Sequence, residues 1–317
     1  MAYVPLKAGN LLAIDLDEGR VRWSVDLATT ETPATGDGMV FVAGNAEVVA
    51  LDQSNGRTVW RTPTVASLSG RLYWESGQVL ASLETGDLIS LRADDGTVGW
   101  RSALNSPLRA APSMADERLF ASLMDGRVIA LDVETGTVAW TNALGEEVTG
   151  LLALDNQLLV GTRGNRLHSL SLARGRSNWT QKVGADVIGA PAADDDHIYF
   201  VAFDNVLRAL NRRNGNLEWR RNLPSRPSGG ALRIDDVVVV PLSTNDIAAF
   251  LATTGAPAFT IQAVGELGAP PFLRDSARPT APRLIAMSRE GALQGFAPRI
   301  EAPPVPLADL PGVRVGG

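Results

Sequence analysis

Apolar and polar positions along the chain fall into short runs, and the runs recur. The stretch Ala130-Leu131-Asp132-Val133-Glu134-Thr135-Gly136-Thr137-Val138-Ala139-Trp140 reads as a strand, a tight turn at the glycine and a second strand ending on the aromatic. The same glycine, with an aromatic four residues later, stands at Gly19/Trp23, Gly56/Trp60, Gly96/Trp100, Gly136/Trp140, Gly175/Trp179, Gly215/Trp219 and Gly255/Phe259. Successive aromatics lie 37, 40, 40, 39, 40 and 40 residues apart, and of seven tryptophans only Trp74 falls outside the slot. A period near 40 marks a repeat architecture, in which each unit covers its neighbour's apolar face.

Aligned on the aromatic, each unit shows the same faces. Ten residues earlier stands a small residue: Ala13, Ala50, Ser90, Ala130, Ser169, Ala209 or Ala249. Large aliphatic residues stand twelve and nine earlier, as in Val128 and Leu131. Side chains alternate between the faces of a strand, so this strand is apolar on both and must be covered on both. The turn glycine supplies a positive φ that a tight hairpin needs. The small residue leaves room for a bulky group, which we expect to be a neighbouring unit's tryptophan.

Two more strands complete a unit. One is a β-rich run such as Met39-Val40-Phe41-Val42 or His197-Ile198-Tyr199-Phe200. Before it comes a short segment of small residues and proline, such as Thr32-Pro33-Ala34 or Ala190-Pro191-Ala192, suited to an innermost edge strand near a ring axis. Four strands in about 40 residues is the blade of a β-propeller. The expected fold is all-β, one domain over residues 1–317, with eight four-stranded antiparallel blades; seven is the fallback count. Unit one lacks its innermost strand and unit eight its glycine–tryptophan turn. We expect the Pro-rich segment 298–317, through Gly312-Val313-Arg314-Val315-Gly316, to close the ring.

Composition removes several function classes. The chain has 29 Lys+Arg against 35 Asp+Glu, a net charge of −6, which gives no electrostatic reason to bind nucleic acid. There is no cysteine, hence no disulfide or thiol chemistry. No apolar run is long enough for a membrane-spanning helix. Met1 to Leu6 lacks the basic head and apolar core of a signal peptide and enters the repeat in mid-unit, so a removed leader is expected.

The consensus Ala-x-Asp-x-x-x-Gly-x-x-x-Trp, intact at Ala13/Asp15/Gly19/Trp23, Ala50/Asp52/Gly56/Trp60 and Ala130/Asp132/Gly136/Trp140, resembles the tryptophan-docking repeat of the pyrroloquinoline-quinone (PQQ) propeller superfamily. Other copies depart at the acid, with Arg92, Ser171, Asn211 and Leu251. The resemblance implies that Trp23, Trp60, Trp100, Trp140, Trp179, Trp219 and Phe259 dock blade on blade. One branch of the superfamily consists of quinoprotein dehydrogenases that hold PQQ and usually calcium in the channel. They are typically longer, and many carry an adjacent-cysteine disulfide that this chain cannot form. The other, BamB-like branch consists of non-catalytic scaffolds of outer-membrane β-barrel assembly. The lack of cofactor features favours this branch, with no cofactor, a cell-envelope or periplasmic location and protein or peptide partners, for a monomer. A channel-bound small-molecule binder, a quinoprotein-type oxidoreductase and the sensor portion of a larger receptor are the alternatives.

Few residues stand out as chemistry. His168 and His197 fall in different units without supporting ligands, and Asp194-Asp195-Asp196 reads as turn chemistry. Tyr73 and Trp74 take an innermost-strand position that is small elsewhere. Arg71 precedes Trp74 by three residues as Arg109 precedes Pro112, and Arg226 lies near the corresponding place. Aromatics with arginines at a channel mouth make an anchoring spot for a partner; the alternative is that Tyr73 and Trp74 plug the channel.

Overall fold

The computed structural model describes residues 1–6, 9–29, 31–269, 271–273, 284–289 and 292–297. It is an all-β propeller of eight antiparallel sheets in chain order, six with four strands and the first and last with three among the described residues. Blade four is representative. Its strands are Ser113–Ala115, Arg118–Ser122, Arg127–Asp132 and Val138–Ala143, hydrogen-bonded in that order. First strands of successive blades touch, as Ala34–Gly36 touches Tyr73–Glu75, which places them innermost. The segment expected to close the ring, 298–317, lies outside the described residues.

Second and third strands carry the core. In blade two Val40, Phe41, Val42 and Val48 to Leu51 are all fully buried. Both faces of these strands are covered, as their two-sided apolar pattern requires. In each of the seven glycine–aromatic hairpins the third and fourth strands slip register just before the aromatic, for example between Ala130 and Leu131. This bulge leaves one extra residue in the fourth strand and re-aims the aromatic.

The small residue ten positions back lies directly across from its own blade's aromatic, as Ala50 does from Trp60 and Ser90 from Trp100. The expectation that it makes room for a neighbouring unit's tryptophan is therefore corrected. It sits in the middle of a row of three, Phe41–Ala50–Trp60, and its size lets the flanking rings meet over it at 5.9 Å. Phe120–Ala130–Trp140 and Tyr199–Ala209–Trp219 repeat the row.

Docking between blades falls to the turn glycine. A Cβ on Gly136 would lie 2.4 Å from the Trp100 ring; one on Gly56, Gly96, Gly175, Gly215 or Gly255 would likewise overlap the tryptophan of the preceding blade. The indole also donates a hydrogen bond to the carbonyl three residues before that glycine: Trp60 to Ala93 at 2.8 Å, Trp100 to Val133 at 2.8 Å, Trp219 to Ala252 at 3.0 Å. Tryptophan is thus held by one apolar contact and one polar one, both across the seam.

Gly19 is the natural control, because its φ of +65° matches that of Gly136 at +68° but nothing lies within 4 Å of its Cβ position. Gly19→Ala should cost only the left-handed backbone penalty, about 1–2 kcal/mol. Gly136→Ala should cost about 3 kcal/mol or more, since overpacking is added. Urea unfolding of the two variants measures the difference; equal losses would show that the docking contact contributes nothing.

Candidate functional site at one mouth of the channel

Antiparallel strands put two kinds of connection at each end of the disc. Turns joining strands one to two and three to four, including the docking glycines, share one face, called here the turn face. The links between blades and the loops joining strands two to three share the other, the loop face. Arg71, Arg109 and Arg226 all fall on or next to links between blades.

Arg109 pairs with Glu147 of the next link, and Arg163 Nε reaches the same carboxylate at 3.1 Å. These residues, with Thr149, Ile188 and Phe203, line a cleft of about 400 Å³. The guanidinium of Arg226 lies over the Phe203 ring, 4.4 Å from its centroid, although Phe203 remains 41% exposed. Such stacking holds an aromatic upright in water. The structure thus brings Arg109 and Arg226 to one mouth and adds Glu147, Arg163 and Phe203.

Arg71 belongs elsewhere. It donates to Tyr73 Oη at 3.3 Å and lies over that ring, and it does not line the cleft. The alignment that equated it with Arg109 is off by two residues. Trp74 sits opposite Val79 as Met114 sits opposite Leu119, so the counterpart of Arg71 is Ala111. Tyr73 and Trp74 point to opposite sides of their strand, as neighbours on a strand must. Tyr73 packs against the cluster that holds Leu80 and Leu119, and Trp74 packs across Gly36 of blade two and bonds Asp37 at 3.3 Å. They fill adjacent seams and do not plug the channel.

Behind the cleft lies a polar cluster that sequence reasoning missed. Glu146 accepts from Thr162 Oγ1 at 2.6 Å, pairs with Arg166 and lies 3.4 Å from His168 Nε2; His168 Nδ1 meets Thr180 Oγ1 at 3.1 Å. Gly164 makes this possible, since a Cβ there would overlap the Glu146 carboxylate. The available signal was His168 itself, at a position occupied by Ile89 and Ile129 in the two preceding blades. Burial pushes the His168 pKa down, against the pull of Glu146. Burial also opposes charge on Glu146, but hydrogen bonds from Thr162 and His168 and the charge of Arg166 outweigh it and hold the carboxyl below its usual range. His197 bridges Asp194 at 3.2 Å and Glu218 at 2.8 Å. Asp194 caps the backbone N–H groups of Asp196 and His197, the turn chemistry expected of this loop.

Fold and docking pattern define a tryptophan-docked repeat propeller of the PQQ-like class. The chain belongs to the family described as outer membrane protein assembly factor BamB, whose family model matches residues 7–82, 66–156 and 125–265. No curated protein matches it in sequence. Among solved structures it is similar to BamB from Moraxella catarrhalis, with a TM-score of 0.76, 18% identity, and 92% of this chain and 89% of that one covered. It is also similar to the quinohemoprotein alcohol dehydrogenase of Comamonas testosteroni, with a TM-score of 0.70 and 13% identity over 85% and 66% of the two chains. A computationally designed protein, Ika8, matches at a TM-score of 0.72 and 14% identity, with 92% of this chain and 91% of that one covered. At these identities the structural likenesses show the fold.

The cluster makes stability depend on pH with a definite sign. His168 takes up a proton less readily folded than unfolded, so stability is full above the ordinary value of 6.5 and falls as pH drops below it. Glu146, with its pKa depressed, adds a further loss below its own ordinary value of 4.5. Urea midpoints should therefore decline from about pH 7.5 to about pH 5.5, and His168→Asn should flatten that decline. An unchanged slope would remove His168 as its source.

Proposed function

We propose that this protein is a non-catalytic interaction scaffold of the cell envelope, periplasmic in location, that docks partner proteins through its loop face. The carrying observation is the Phe203–Arg226 stack beside the Arg109–Glu147–Arg163 cleft: an aromatic ring held rigid yet exposed, flanked by arginines. Exposed aromatic and arginine side chains on a rigid frame are the composition of binding hot spots. Val65, Met124 and Val264, 75%, 54% and 72% exposed, add apolar contacts from other connections of the same face. Membership of the BamB family supports the reading.

The quinoprotein reading asks for a cation held in the channel next to a stacked quinone. Among the described residues no group of three or more His, Asp or Glu side chains is arranged to hold a metal ion, the imidazole of His197 being hydrogen-bonded to its two carboxylates, and Tyr73 and Trp74 are packed into seams. Neither observation supports that reading.

The test is co-purification of components of the outer-membrane β-barrel assembly machine with the protein exported to the periplasm. Phe203→Ala combined with Arg226→Glu should lower capture by about 30-fold, as loss of a hot spot does, without shifting the melting temperature. Capture that is absent, or indifferent to these substitutions, would defeat the scaffold reading. A red-shifted absorbance on adding PQQ with calcium would replace it with the oxidoreductase one.

A further inference from the structure

The repeat allows the same turn to be compared around the disc. Between the third and fourth strands, at the docking glycine, blades one to four carry acids: Asp17 and Glu18, Asp52, Asp94 and Asp95, then Asp132 and Glu134. The arginines in two of these turns are neutralised by acids of the same turn, Arg20 by Glu18 and Arg92 by Asp94. In blades five and six the pattern inverts. Ser171 and Asn211 replace the repeat's acid, and the turns carry Arg174, Arg176, Arg212 and Arg213 with no carboxylate among them. These two turns are neighbours, because Trp179 of blade five packs on Gly215 of blade six. Arg220 extends the patch onto the exposed side of the blade-six outer strand, Leu217–Asn222.

Of these five cations, only Arg212 is engaged. It pairs with Asp155 at 2.7 Å and is largely buried. Arg174, Arg176, Arg213 and Arg220 are exposed and form no ion pair among the described residues. A polar cleft of about 490 Å³ opens beside them, lined by Asn178, Arg212 and Arg213 with Asp155 and Asp195 on the channel side.

We infer that the rim of blades five and six on the turn face is a second docking surface, which takes an acidic extended segment of a partner protein. Shape and charge together select that occupant. Exposed acids stand on the channel side, with Asp155 at 87% exposure and Asp195 and Asp196 beside it. A flat anionic membrane approaching this face would meet those acids and the acidic turns of blades one to four. A second copy placed face to face would oppose like-charged inner rings. A narrow strip of carboxylates laid along the rim meets the exposed guanidinium groups of Arg174, Arg176 and Arg213, whose planar donors match carboxylate oxygens in pairs. This surface lies on the face opposite the Phe203 cleft, so its fate is independent of the function proposed above.

The whole protein is titrated by fluorescence anisotropy with a labelled peptide of alternating Glu and Ser, and with its Lys–Ser counterpart. The acidic peptide alone should bind, and more weakly as salt rises from about 50 to about 300 mM. Arg174→Glu with Arg213→Glu should weaken binding by about 10-fold or more; Arg20→Glu with Arg57→Glu, on the turns of blades one and two, should leave it unchanged. Circular dichroism melting confirms that both double variants fold. No binding at low salt, or equal loss in both variants, would overturn the inference. So would phosphatidylglycerol vesicles, or dimerisation of the protein in sedimentation, that required the same two arginines.

Discussion

Each seam from blade one to blade seven rests on a single recurring fit, an indole lying flat against a glycine that has no side chain. The glycine answers two demands at once, a positive φ for the hairpin and a bare surface for the neighbour's ring. The alanine or serine across from the tryptophan answers a third, because it lets a second large side chain reach the indole from the other edge. Burying tryptophan this way makes each seam costly to open, about 3–5 kcal/mol by the usual loss on truncation to alanine. Blade five shows how closely the polar half is tuned. Gln157 Nε2 donates to the carbonyl of Arg212, the acceptor that the pattern reserves for Trp179, and Trp179 Nε1 is left buried without a partner among the described residues. In return Gln157 accepts from Ser169, the small residue of the same row. The indole contact survives there on packing alone.

Because a few positions per unit hold the ring together, the remaining positions in the same turns and loops are free to diverge. The docking turn keeps its glycine in blades one to seven while its charge runs from acidic to basic. The links between blades keep their course while one offers Arg109, another Glu147 and a third Arg226. Such a frame holds the side chains of its two faces rigidly, which lowers the ordering cost of any contact made there.

Most of the frame was readable in the chain. Period, glycine, aromatic and the two-sided apolar strands led to eight sheets in a ring, and the indole contact with the next unit was implied by the resemblance to the tryptophan-docking repeat. The partner of the small residue was misassigned, because a cross-strand neighbour and a neighbour across a seam leave the same trace in sequence. Arg71 was misplaced for a related reason: the innermost strands are only two to seven residues long, so nothing within them marks the register. Glu147, Arg163 and Phe203 were unreadable, since their union depends on the link that enters blade five and on the loops joining strands two to three in blades five and six. His168 did depart from the repeat, but its reason, a carboxylate at Glu146 admitted by Gly164, comes from a different loop.

The family's dual character follows from the same division of labour. A scaffold and a quinone-dependent dehydrogenase can share the docking pattern, because that pattern lies at the seams and touches neither channel nor face. Likeness in fold therefore cannot separate them; only side chains at the axis and the mouths can. Here two large aromatics of the blade-three innermost strand, Tyr73 and Trp74, are turned into seams, one toward blade four and one across Gly36 of blade two, while Phe272 of the blade-eight innermost strand stays exposed. Accessible charged and aromatic side chains at the mouth include Phe203 with Arg226 stacked on it, and Arg163 beside Glu147.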